Sequence, residues 1–202
     1  MQEIGFGKMK DYIKEMEEYA INNNIPIMQK DGIEFLLKYI KENNIKNILE
    51  IGSAIGYSSI RMALVDKDIF VTTIERDEDR YNEAKKNIKQ FNLENRINLI
   101  YKDALEVEIN DQFDLIFIDA AKAQNIKFFE KYKRNLKNNG TIITDNMYFH
   151  GLIFKEAKDI DSRNLRQLMR KLKNYHEFLK ENKEYTTKFI DLGDGIAITK
   201  KN

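Results

Sequence analysis

Three oxygen-bearing side chains stand at the ends of two apolar runs. Asp119 closes FDLIFID (113–119), and Asp145 and Asn146 follow GTIIT (140–144). An acid at the end of so apolar a stretch is costly unless it is paired or bound to metal. If the two runs are neighbouring parallel strands, two carboxylates and an amide oxygen meet at one place. That donor set suits a hard divalent cation, Mg²⁺ or Ca²⁺, rather than zinc. The plainer alternative is that Asp145 and Asn146 only shape a loop. Lys122 lies three residues beyond Asp119. Beside a cation in a partly dry cleft, a lysine can give up its proton and act as a general base; a solvated loop lysine is the commoner fate.

A second constellation lies upstream. NILEI (47–51) runs straight into Gly52-Ser53-Ala54-Ile55-Gly56-Tyr57-Ser58. Glycines let a ligand approach the backbone, and a helix that starts behind them offers free N–H groups. Glu75 ends the run FVTTIE, 23 residues beyond Gly52. A carboxylate in that place can accept both hydroxyls of a ribose. Asp103 and Ala104 follow the next apolar run, where an adenine would lie. In this order the set indicates an adenosine-containing ligand. A dinucleotide fold asks for G-x-G-x-x-G. Here the spacing is G-x-x-x-G, and Ser53 stands where a pyrophosphate would need the second glycine. S-adenosylmethionine (SAM) has no phosphate, so the loop favours SAM over a dinucleotide.

These residues must be positioned by a regular frame. Apolar residues recurring every three or four positions predict helices over 8–24, with Met9, Tyr12, Ile13, Met16, Tyr19 and Ala20 inward, and over 31–42. Strands are expected at 47–51, 70–75, 96–101, 113–119 and 140–145, with helices at 57–65, 78–91 and 125–136 between them. A long helix over 162–182, with Ser162 as N-cap, precedes two final strands, 186–192 and 195–200. Gly193-Asp194-Gly195 makes their hairpin turn. Alternating strands and helices define an α/β fold with a mostly parallel sheet, and the final hairpin adds antiparallel strands. Ligands of such sheets bind outside the carboxyl ends of the strands, which is where the candidate residues fall.

Composition narrows the class. The 202 residues are 42% hydrophobic and 33% charged, yet 34 basic and 33 acidic residues leave a net charge of +1. No global polycation exists, so nucleic-acid contact requires a local patch. Absence of cysteine excludes disulfides, thiolate metal sites and a cysteine nucleophile. No apolar run approaches the roughly 18 residues of a membrane span, and residues 1–10 lack the apolar stretch of a signal peptide. A soluble cytoplasmic protein is expected. With no repeat or linker in view, one domain is expected over 1–202, with 1–45 as an N-terminal helical arm.

LEIGSAIGYSSIRMA (49–63), TIERD (73–77), FIDAAK (117–122) and TDN (144–146) resemble the cation-dependent O-methyltransferases, which include catechol and caffeoyl-CoA O-methyltransferases. The resemblance covers nearly the whole chain. It implies a Rossmann-like class I methyltransferase fold with SAM as cofactor and Mg²⁺ as metal. By resemblance, Met28 and Gly52 with Ser58 hold the amino-acid end of SAM, Glu75 the ribose and Ala104 the adenine region. Asp119, Asp145 and Asn146 hold the metal, Asp119 also faces SAM, and Lys122 matches the catalytic lysine. The long or aromatic residues that surround the acceptor in the plant and animal small-molecule enzymes have no match here. Alanine at 104 removes a hydrogen bond that some relatives make with serine.

Within the family, IPIM (25–28), DAAKAQ (119–124), DNMYFHGL (145–152) and GDGIAITKK (193–201) look most like bacterial enzymes that methylate 5-hydroxyuridine at the wobble position of tRNA. The resemblance implies a tRNA anticodon loop as substrate and a homodimer. Chemistry alone does not choose the acceptor. Methyl transfer is an in-line displacement that needs an aligned, deprotonated oxygen, and a metal serves any acceptor with two adjacent oxygens. Catechol has two hydroxyls; 5-hydroxyuridine has its hydroxyl beside the O4 carbonyl.

Arg163, Arg166, Arg170, Lys171 and Lys173 fall in one acid-free stretch. At about 100° per residue, Arg163, Arg166, Arg170 and Lys173 share one helix face and Leu165, Leu168, Leu172, Tyr175 and Leu179 the other. The basic face is read as a phosphate-tracking surface, against the ordinary alternative of a solvated face. Tyr148, Phe149 and His150 could stack on an exposed base or close a hydrophobic loop. The readings in play are therefore a tRNA methyltransferase, a small-molecule catechol-type methyltransferase and a non-catalytic SAM- or RNA-binding module. Intact Asp119, Lys122, Asp145 and Asn146 speak against the last.

Overall fold

The computed structural model describes residues 5–202. Seven strands form one sheet: β1 (Asn47–Ile51), β2 (Phe70–Glu75), β3 (Ile97–Tyr101), β4 (Phe113–Ile118), β5 (Leu136–Thr144), β6 (Tyr185–Ile190) and β7 (Ile196–Lys201). Their order is β3-β2-β1-β4-β5-β7-β6. The first five are parallel, and β7 runs antiparallel to both β5 and β6. The helices are α1 (Phe6–Asn22), α2 (Lys30–Glu42), α3 (Tyr57–Ala63), α4 (Glu78–Gln90), α5 (Asn125–Tyr132) and α6 (Arg163–Glu181).

The central strands are apolar on both faces because both are covered. Along β1, Ile48 joins a core with Met16, Leu36, Ile60 and Ile88, drawn from α1 to α4. Its neighbour Leu49 faces the opposite core, with Phe128, Phe129, Tyr175 and Leu179 of α5 and α6. Strand order reverses between β1 and β4. At such a point the connections leave in opposite directions and open a crevice beyond the strand ends.

Four expectations change. β5 begins at Leu136 rather than 140. Phe113 pairs with Leu136 and Leu115 with Thr141, so three extra residues bulge out of β5. α5 accordingly ends at Tyr132 and tightens into a 3₁₀ turn, Lys133–Asn135. On α1, Met16 and Ala20 are buried, but Tyr19 is exposed. On α6 the buried residues are Met169, Leu172, Tyr175 and Leu179, so Met169 belongs to the apolar stripe and Leu168 is only half-buried. Ser162 does cap α6, its hydroxyl accepting from the N–H of Leu165 at 3.4 Å. Among the described residues no helix is long and apolar enough to cross a membrane.

Candidate functional site

The crevice at the reversal point is a cavity of about 680 Å³. Met28, Gly52, Ser58, Glu75, Ala104, Asp119, Lys122 and Asn146 all line it. Asp145 does not: it is 4% exposed and lies directly behind Asn146. The four basic residues of α6 are elsewhere on the surface.

One wall is the β1–α3 loop. Gly52 (φ +95°) is required there. A Cβ at this position would lie 2.4 Å from the backbone oxygen of Asp119, so only glycine lets β1 and β4 come this close at the cavity floor. Gly56, at φ +81°, then turns the chain into α3. Glu75 accepts three backbone N–H groups: Ala54 at 2.8 Å through one oxygen, Arg76 and Asp77 at 2.9 Å through the other. A carboxylate has about four lone-pair sites, so room remains for a ribose hydroxyl. Ser58 donates its hydroxyl to Glu50, which leaves the acceptor lone pairs of that hydroxyl on the cavity side. The backbone oxygen of Ala104 takes the Tyr132 hydroxyl, which fixes that part of the cavity lining.

Glu50 is the residue the sequence reading passed over. It is fully buried on the central strand and receives the hydroxyls of Ser58, Ser59 and Thr73. Burial pushes its carboxyl up to about 7, and the three hydroxyls only partly offset this. A signal was present: an acid inside NILEI must find partners, and hydroxyl-bearing residues stood at 58, 59 and 73.

The opposite wall carries the charged cluster. β4 and β5 are neighbours in register, with Ile118 opposite Thr144, so Asp119 and Asp145 leave the sheet side by side. Lys122, on a 3₁₀ turn, donates to Asp119 Oδ1 at 2.8 Å, with 14% and 20% of the two side chains exposed. Asn146 Nδ2 donates to Asp145 Oδ2 at 2.9 Å and reaches Asp119 Oδ1 at 3.5 Å. Asn146 holds φ +59°, a left-handed conformation that asparagine tolerates better than most residues. Burial first, and then the charge of Asp119, pushes the Asp145 carboxyl up to about 7; Lys122 offsets only part. Among the described residues no group of three or more His, Cys, Asp or Glu side chains assembles a metal site. The set is two carboxylates and one amide, held by a single ammonium. It fits a hard cation: oxygen donors crowd their negative charge together, and a half-turn of the Asn146 amide would present its oxygen to the same point.

On α6, two of the four basic residues already have partners. Arg166 spends its guanidinium on the backbone oxygens of Ile160 and Asp161, and Lys173 donates to the oxygen of Lys155 at 3.1 Å. Both fasten the 155–161 segment to the helix. Arg163 and Arg170 are exposed. Periodicity places a residue on a face, but it does not say whether a loop covers that face. Tyr148 likewise packs inward, between Phe154 and His176, whereas Phe149 and His150 line the cavity.

A seven-stranded sheet with a reversed C-terminal pair, a glycine loop after β1 and an acidic β2 end define a Rossmann-like methyltransferase fold. The chain belongs to the O-methyltransferase family, whose model matches residues 4–202. It is similar to a crystal structure from Staphylococcus aureus described as a "putative caffeoyl-CoA O-methyltransferase". Identity there is 43%, with 94% of this chain and 92% of that one covered and a TM-score of 0.89. It is also similar to the caffeoyl-CoA O-methyltransferase of Populus kitakamiensis, at 28% identity over 95% of this chain and 86% of that protein. A Bacillus cereus O-methyltransferase solved in complex with SAH shares the fold, with a TM-score of 0.80 at 24% identity, covering 95% of this chain and 91% of that one.

Proposed function

We propose that this SAM-dependent O-methyltransferase works with a divalent cation, Mg²⁺, and methylates the 5-hydroxyl of wobble 5-hydroxyuridine in tRNA. The observation that carries the cation is the convergence of Asp119 and Asn146 on the cavity wall, with Asp145 directly behind and Lys122 on Asp119. Asp119, Asp145 and Asn146 would hold the ion. When bound, it supplies a Lewis acid that favours the deprotonated form of a chelating hydroxyl. Lys122, already at Asp119, would take the proton of that hydroxyl after its ammonium, facing the bound cation's charge, has released its own proton to solvent. Met28, Gly52, Glu75 and Ala104 would orient SAM so that its methyl faces the acceptor oxygen.

Two surface features support an RNA acceptor. Exposed Arg163 and Arg170 stand on α6, and Phe149 and His150 border the cavity with Phe154 exposed nearby, aromatic groups of the kind that stack on unpaired bases. A small-molecule catechol-type acceptor is the second reading, favoured by the names of the relatives above. Exposed Tyr19 and Ile21 on α1 support a homodimer through that helix.

The test is a single incubation of the protein with SAM, Mg²⁺ and tRNA carrying 5-hydroxyuridine, followed by digestion and mass analysis of nucleosides. The expected result is 5-methoxyuridine that disappears when a chelator is added. No product from tRNA, together with transfer to a simple catechol, establishes the second reading instead.

A further inference from the structure

The turn between β6 and β7 holds a buried carboxylate that the reaction as described does not use. Asp194 is 6% exposed. Its Oδ1 accepts the backbone N–H of His150, and its backbone oxygen accepts that of Tyr148 at 2.8 Å. The next residue, Gly195, accepts from Met147 at 2.9 Å. Gly195 is forced by the Tyr148 ring, which a Cβ there would meet at 2.6 Å. The hairpin turn is therefore clamped onto the segment that follows the candidate metal ligands. That segment is unusual in its backbone: Phe149 and His150 both take left-handed φ values, +46° and +54°, ahead of Gly151 at +75°. Such conformations are strained and persist where the surroundings over-determine them.

Asp194 Oδ2 is left over. It is buried and has no hydrogen-bond partner. A buried acceptor without a donor is costly. The cationic-capable group beside it is His150 Nδ1, at 3.8 Å, on a ring whose other edge lies open, with 71% of the side chain exposed. The same residue borders the cavity. A small rotation brings Nδ1–H onto Oδ2 and satisfies the orphan. The backbone of His150 is already fixed by Oδ1, so only the ring has to move.

We infer that Asp194 is a positioning residue for His150, holding its ring as the Nδ1–H tautomer so that Nε2 is presented to the cavity as a hydrogen-bond acceptor for the methyl acceptor. The partner it recognises is an O–H or N–H group of that acceptor, next to the chelating pair of oxygens. The inference rests on O-methyl transfer in this cavity and holds for either acceptor class. A carboxylate that orients an imidazole through Nδ1 sets which ring nitrogen is free, and here it does so from a residue 44 positions away in sequence.

The chain has only two histidines, which makes the test direct. Long-range ¹⁵N spectra of the full protein, at about pH 8.5 where imidazoles are neutral, read both ring tautomers. His176 is the internal reference: its Nε2 lies 2.8 Å from the carbonyl oxygen of Met147, so it must carry the proton on Nε2. His150 is expected as the opposite tautomer, Nδ1–H. Asp194→Asn keeps an oxygen for the His150 backbone N–H but turns a donor toward Nδ1, and is expected to switch His150 to Nε2–H. A wild-type His150 already in the Nε2–H form overturns the proposal, without recourse to any variant. The kinetic arm uses an anticodon stem-loop bearing 5-hydroxyuridine and 3,4-dihydroxybenzoate. His150→Ala and Asp194→Asn should each raise acceptor KM by about threefold to tenfold, leave SAM affinity unchanged, and show no added effect in the double variant. Additive losses, or an equal loss of SAM affinity, would mean that Asp194 only holds the loop. If neither acceptor is methylated by the wild type, the substrate proposal fails on its own, and the tautomers still decide the pair.

Discussion

At the β1–β2 end of the cavity, both carboxylates already have their partners. Glu50 takes three hydroxyls, and Glu75 takes three backbone N–H groups. At the β4–β5 end the reverse holds. Asp119 and Asp145 share one lysine, and Asp194 Oδ2 has no hydrogen-bond partner. The first wall is organised before anything binds and suits a ligand with no net negative charge to be cancelled, such as SAM. The second wall keeps negative charge that its own residues do not neutralise. In a low-dielectric cleft that arrangement is paid for elsewhere in the fold, and a bound cation would relieve it.

The largest effect should come from the second wall. Asp145→Ala removes a proposed cation ligand that does not itself border the cavity, so transfer is expected to fall by about 100-fold or more. SAM affinity, measured by calorimetry, should barely change. An Asp145→Ala protein that methylates at full rate in chelator would remove the contrast between the two walls.

The next effect isolates the first wall. The Glu50 carboxyl is raised from 4.5 to about 7 in the fold. Its stabilising contribution is therefore complete below about 4.5 and is lost as pH rises through about 7. Wild-type protein should unfold at lower denaturant at pH 8 than at pH 5, with a Glu50 share on the order of 3 kcal/mol. Glu50→Gln should remove that share: its amide oxygen can accept the Ser59 and Thr73 hydroxyls, while its NH2 donates to the Ser58 oxygen. Asp145 contributes a slope of the same sign, which Mg²⁺ should flatten and Glu50→Gln should not. An unchanged pH slope in Glu50→Gln would show that the buried acid is not strained by its surroundings.

The smallest effect lies outside both walls. Arg163→Glu with Arg170→Glu should weaken tRNA methylation by about tenfold at low salt and less at high salt, with catechol transfer spared. Arg166→Glu should impair both, since Arg166 fastens the 155–161 segment. Equal losses on both acceptors from the Arg163 and Arg170 pair would return α6 to a solvated face.

How much of this could be read in advance follows from the range of the interactions. Buried parallel strands are continuous apolar runs, so β1, β2, β3 and β4 were legible almost to the residue, and so were the residues that follow them. The start of β5 was not, because Lys137-Asn138-Asn139 reads as a turn and only pairing with β4 makes it a bulged strand. The amphipathic α6 was legible as a helix. The task of Arg166 was not, because it depends on a loop folding back.

The sequence by itself determined which strands end in glycine, Glu75, Asp119 and Asp145-Asn146, and hence that a cofactor-like cleft and an oxygen-rich cluster stand at one edge of a parallel sheet. Those are local facts, carried by the period of apolar residues and the residue that ends each run. Tertiary structure alone decided that Asp145 sits behind Asn146, that Ser58 serves Glu50, and that Asp194 holds His150 from the far hairpin. The first is a matter of burial, and the other two are hydrogen bonds between residues that chain folding brings together. Their partners are set by packing and burial, which no spacing along the chain encodes.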